Sequence, residues 1–151
     1  MLLSKLKDNE KALFNGSFDR CMETCEADIN FVSFFCSNLR SSDSKIAEIF
    51  DQFTINQRVH FLRHSIYLII EFSEGRKTLD DLRLLANEYL DSAVQPYMLD
   101  LWLYNLIFAV AEFDREFDMD AKTVWLRVMS PGINALKLIV KQRKAKQSLL
   151  L

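Results

Sequence analysis

The sequence predicts an all-α domain of about seven helices, and three observations carry that expectation. Turn formers are scarce, with three glycines and two prolines in 151 residues. Hairpins and sandwiches need Gly, Asn-Gly or Pro punctuation about every 8–12 residues, so an all-β fold is excluded and α/β is disfavoured. Apolar residues make up 50% of the chain and aromatics 12%, with twelve phenylalanines, and a chain of this length forms one domain that buries roughly 70% of its unfolded surface. Apolar positions also recur at helical spacing between short polar breaks that carry capping residues.

The elements follow in order. A first helix is expected from about Asp8 through Cys25, bent or broken near Asn15 and Gly16, with Ser17 able to re-cap it. Asp28 or Asn30 starts a second, apolar helix through Leu39. After Ser41-Ser42-Asp43-Ser44 a short turn of helix ends near Phe50. Thr54 caps a long helix to about Glu74, stopped by Gly75, and Thr78, followed by Asp80 and Asp81 in the first turn, opens another to about Leu90. Pro96, tolerated in a first turn, opens the helix through Glu116. Asp118 or Asp120 opens the last, to about Lys146, with Pro131 and Gly132 expected to kink it because proline removes a donor and clashes with the preceding turn.

Composition narrows the function. A charged fraction of 26% and a net charge of −2 argue against a disordered chain and against a nucleic-acid partner, which wants a basic field. Cys21, Cys25 and Cys36 are an odd set without CxxC spacing, read as small buried hydrophobes in a reduced, cytoplasmic compartment; the i,i+4 pair Cys21 and Cys25 is too poor in donors for zinc. MLLSKLKDNE lacks the apolar run of a secretory signal. The apolar stretch from Tyr97 to Phe113 is interrupted by Asp100, Asn105 and Glu112, so it reads as a core helix and not a membrane span. Lys137, Lys141, Arg143, Lys144 and Lys146 form a basic end of the last helix, a solvated face that complements the helix dipole. Asp114, Glu116, Asp118 and Asp120 read as a solvated turn. No GxSxG, P-loop or metal-ligand set is present, so the chain is expected not to be an enzyme.

Specific residues carry a family resemblance. Phe34-Phe35 and then Phe50 resemble the aromatic pair of helix B and the phenylalanine after helix C in globins. Leu82-x-x-Leu85-Ala86, leading to Tyr89 and then Val94-Gln95-Pro96 and Asp100-Leu101-Trp102, is similar to the F-to-G passage of bacterial globins. Phe113-Asp114-Arg115-Glu116-Phe117-Asp118, Trp125 and Ser130-Pro131-Gly132-Ile133 resemble the G–H passage and last helix of bacterial single-domain globins and globin-type sensors. The similarity covers about residues 15–140. It implies a single globin-like domain over 1–151, a helical sandwich of about seven helices, with a basic C-terminal tail from 141.

The resemblance also implies departures. Where the family has the haem-ligating histidine of helix F, seven residues after Leu82 and seven before Pro96, this chain has Tyr89. Phe35 stands where bacterial globins commonly place a tyrosine whose hydroxyl serves bound oxygen. On a helical wheel Ile55, Val59, Leu62, Ile66 and Ile69 share the core sector, while His60 and His64, the two histidines of the chain, fall on the opposite side. The residues expected to line the family's haem space are therefore Phe35, Phe50, Ile55, Arg58, Leu62, Ile66, Tyr89 and Trp102. Two readings stay open. In the first the domain holds no cofactor, Tyr89 fills space, and the chain is a sensory, regulatory or protein-interaction domain. In the second Tyr89 is the metal ligand of haem b, a phenolate favouring ferric iron, and the domain binds or senses a diatomic gas. Partners implied are an unknown signalling protein and a second copy of the chain paired through the last two helices, which are rich in Leu99, Trp102, Leu103, Leu106, Phe108 and Trp125.

Overall fold

A computed structural model describes residues 6–23, 25, 26, 29–90 and 92–149. Among the described residues seven helices form: α1 (Asp8–Glu23), α2 (Phe31–Ser41), α3 (Ser44–Phe50), α4 (Ile55–Ser73), α5 (Leu79–Tyr89), α6 (Pro96–Phe113) and α7 (Met119–Leu149). A two-residue antiparallel pair, β1 (Cys25–Glu26) with β2 (Ile29–Asn30), joins α1 to α2. The first helix thus ends before Cys25, so Cys21 and Cys25 do not share a helix face; the side chain of Cys25, the expected start at Asp28 and the last two leucines lie outside the described residues.

Local chemistry sets most helix ends. Asn30 and Ser33 form a reciprocal capping box on α2, Thr54 and Gln57 on α4, and Thr78 and Asp81 on α5. The Asp43 carboxylate accepts from the Lys45 and Ile46 amides at the start of α3. At the end of α4 the Arg76 N–H donates to the Glu71 carbonyl and the Gly75 N–H to that of Phe72, a Schellman closure that needs the positive φ of Gly75 (80°). The α6 helix stops at Phe113, three residues before the expected Glu116, where Asp114 turns extended and its N–H closes on the Val110 carbonyl at 2.8 Å.

α7 is the axis of the molecule and packs on α1, α4, α5 and α6, while α2 packs on α3, α4 and α6. Its interior crosses α4 at Gly132, where a Cβ would stand 2.8 Å from Ile69 Cγ2. Glycine here lets two helices approach closely. The helix runs on through Pro131 and past residue 141 to Leu149, so the expected basic tail is helical and part of it is docked. The Arg143 Nη1 donates to the Ala86 carbonyl at 3.4 Å and the Leu90 carbonyl at 3.1 Å, and Lys144 donates to that of Ser92. These cations serve the C-terminal end of α5 as well as their own helix. Lys137 pairs with Asp100 at 2.8 Å.

Helix α1 runs without a break through Asn15 and Gly16, and Ser17 caps nothing. Its hydroxyl is buried, receives the Trp125 indole N–H at 2.8 Å and donates to Asp114 Oδ2 at 2.6 Å. Arg20 adds Nε to Asp114 Oδ1 at 2.5 Å and Nη2 to Oδ2 at 3.2 Å, and the Glu116 N–H completes the carboxylate's shell. Asp114 is therefore no solvated turn residue: it is 2% exposed and ties α1, α6 and α7 together. Burial works to raise its pKa, but Arg20, Ser17 and the Glu116 amide outweigh burial and hold it below the usual carboxylate value. Burial, reinforced by Asp114, pushes the neighbouring Cys21 thiol up to about 12.

Candidate functional site

The opposite end of the interior is apolar. Helices α2 to α7 surround a cavity of about 60 Å³ there, walled by residues that include Phe50, Phe61, Leu62, Leu85, Trp102 and Leu136. Its one hydroxyl, on Ser65, donates to the Leu62 carbonyl at 2.8 Å and so turns away from the void. Water needs two to four polar partners to occupy a buried site, and these walls present none.

Beside it, between α3, α4 and the end of α5, lies a groove of about 260 Å³ that shares Ile49, Phe50, Phe61, Leu90 and Val94 with the cavity. Its rim carries Arg58, His60, Glu88 and Tyr89. The half-buried Tyr89 ring packs on Phe61 with centroids 4.9 Å apart and faces His64 at 6.0 Å. Arg58 turns back onto the end of α3: its Nε donates to the carbonyls of Phe50 (2.7 Å) and Phe53 (3.1 Å), and Nη2 reaches Asp51 at 3.4 Å.

These positions sort the expected pocket residues. Phe50, Leu62 and Trp102 line the cavity. Phe35 and Ile66 are buried one layer behind it, Phe35 in edge contact with Trp102 at 5.3 Å. Arg58 and Tyr89 line the groove instead. Ile55 is a correction, being 69% exposed in the first turn of α4, before that helix reaches its neighbours. His60 and His64 are exposed, yet they flank the groove and Tyr89 and so do not lie remote from the pocket. Sequence reasoning missed Phe61 and Met98 as walls, although both sit one position from expected core residues. Among the described residues no group of three or more His, Cys, Asp or Glu could hold a metal ion, and no helix is long and apolar enough to cross a membrane.

Neither a protein-family profile nor a curated protein matches the sequence. A solved structure does: a protein of Pseudomonas aeruginosa PAO1, described as structurally highly homologous to a human hemoglobin, superposes with a TM-score of 0.76 at 28% identity, over 87% of this chain and 98% of that one. The fold is globin-like. In this globin-like chain the space a porphyrin would need is largely taken. The cavity holds about 60 Å³ and the groove about 260 Å³, both under the roughly 300 Å³ at which sites for drug-sized ligands begin, and a porphyrin exceeds such ligands. Of the cavity's walls Met98 alone carries a ligand-capable sulfur, which accepts the Gln95 N–H at 3.4 Å. As packed, neither space by itself has room for a porphyrin, although Tyr89 and His60 on the groove's rim carry donor atoms.

Proposed function

We propose that this chain is a globin-like regulatory or protein-interaction domain that works in the cytoplasm without histidine-ligated haem and catalyses no reaction of its own. One observation carries the reading: side chains have narrowed the interior to an apolar space of about 60 Å³, with Tyr89 outside it and both histidines exposed. The buried free thiols of Cys21 and Cys36 support a reducing compartment, and the net charge of −2 supports a partner other than nucleic acid. A hemin titration followed in the Soret region tests the proposal. No stoichiometric complex is expected, in the wild type or in Tyr89→His, because packing rather than the missing imidazole excludes the porphyrin; a one-to-one Soret band would overturn it.

A second reading is haem b ligated by Tyr89 in a gas-binding domain. It draws on one observation, that Tyr89 and Arg58 share a groove continuous with the cavity, and it requires the helices to open. A wild-type Soret band abolished by Tyr89→Phe would select it.

The signalling surface we assign to α6, and the first partner to a second copy of the chain. Leu99, Trp102, Leu106 and Trp125 are core and cannot serve a dimer, whereas Tyr97, Tyr104 and Phe108 are 41%, 69% and 44% exposed. Sedimentation as a monomer at micromolar concentration would remove the dimer.

A further inference from the structure

We infer that the groove beside Tyr89 binds a small aromatic carboxylate, a molecule of one or two rings with a single acid group. The inference rests on the haem-free reading, because a porphyrin would claim the same groove.

The walls select for flat apolar rings. Phe50, Phe53, Phe61 and Tyr89 bring four aromatic rings to one groove, and Phe53 is 42% exposed, so the rings are accessible from solvent. The volume of about 260 Å³ suits a ligand smaller than drug size. The cavity behind Phe61 and Leu90 offers further apolar contact to the ring's far edge, with no polar group to repel it.

The charge is placed with equal economy. The carbonyls of Phe50 and Phe53 hold Arg58 through Nε, its Nη2 pairs with Asp51 at 3.4 Å, and among the described residues its Nη1 makes no hydrogen bond. A guanidinium already oriented in this way loses little freedom on meeting a carboxylate, and its side chain is only 15% exposed, which lessens screening by water. His60 stands on the same rim. Glu88 lines the α5 side and repels an acid placed there, so the carboxylate is directed toward Arg58 and His60 while the ring meets Phe61 and Tyr89. The cleft between α1 and α4 carries Lys11, which is exposed and so screened by water, and Arg76, which is paired with Glu74 at 2.6 Å.

Calorimetric titration of the haem-free protein with 2-naphthoate, 2-naphthamide and 2-naphthylmethylammonium tests the site. Naphthoate is expected to bind at least about tenfold more tightly than the amide, and the amine weakest. Arg58→Gln should erase the preference and Arg58→Lys restore part of it, while Tyr89→Ala should weaken naphthoate and naphthamide alike. Because Arg58 also braces α3, Glu88→Gln provides a variant that leaves that brace intact, and it should raise naphthoate affinity a few-fold. Equal binding of the three probes, no binding, or an acid preference that survives Arg58→Gln would overturn the inference. Hemin uptake reads the haem-free proposal separately: a protein that takes neither hemin nor naphthoate loses only the groove.

Discussion

The two ends of the interior are built on different physics. At the α1–α6–α7 corner, one buried carboxylate gathers a hydroxyl, a guanidinium and a backbone amide, with an indole N–H one step behind. Directional, charge-assisted bonds define that geometry and leave each group satisfied. At the α3–α4–α5 end, bulky apolar groups wall a void and a groove, and the polar bonds, from Arg58 and Arg143, sit at the helix ends around them. Satisfied polar networks lock a structure, whereas imperfectly filled apolar space is where ligands enter. The difference places a bonded polar network at one end and, on the proposal above, recognition at the other.

Substitutions at four positions probe this contrast, in falling order of effect. Asp114→Ala strands the buried Ser17 hydroxyl and Arg20, and should cost about 4 kcal/mol of stability in urea denaturation. Its companion, Asp114→Asn, should flatten the acid limb. The folded pKa of Asp114 is lowered, so its contribution is complete above its unfolded value of about 3.9 and disappears as pH falls through the folded one; the wild type should lose stability below about pH 4 more steeply than the variant. Leu62→Ala, at the cavity wall and fully buried, should cost about 3 kcal/mol and enlarge the void enough to take up xenon, visible as a shifted xenon NMR line. Gly132→Ala drives a Cβ against Ile69 and should cost about 2 kcal/mol, with Ile69→Ala in the same chain recovering part of it; additive losses would refute the contact. Tyr89→Phe removes a hydroxyl that makes no hydrogen bond among the described residues, from a half-buried site, and thermal stability should shift by less than about 0.5 kcal/mol. A large loss there would mean that the Tyr89 hydroxyl, too, helps to hold the groove end.

The helices were legible because their signals are local. Asn30, Asp43, Thr54, Thr78 and Gly75 each act on residues within a few positions, and the structure uses each as an end signal. The core sector of α4 was legible at Leu62, Ile66 and Ile69 and misjudged at Ile55, because a wheel gives angle but not whether a neighbouring helix extends that far. Ser17 and Gly16 resembled a break since propensity cannot foresee that a carboxylate 97 residues away receives the serine hydroxyl. Asp114 resembled its exposed acidic neighbours for the same reason. In the candidate site, Phe50, Leu62, Trp102, Arg58 and Tyr89 were named from sequence, yet their division between cavity and groove was not.

By itself the sequence determined the helical class, the order and ends of most helices, and an interior rich in phenylalanine. Those are consequences of period, capping and composition, all readable along the chain. Only the tertiary structure decided which acid is buried, which cation braces which helix end, and how much space remains beside Tyr89. A residual volume is a small difference between the room enclosed by six helices and the side chains that fill it, and no single stretch of sequence contains either quantity.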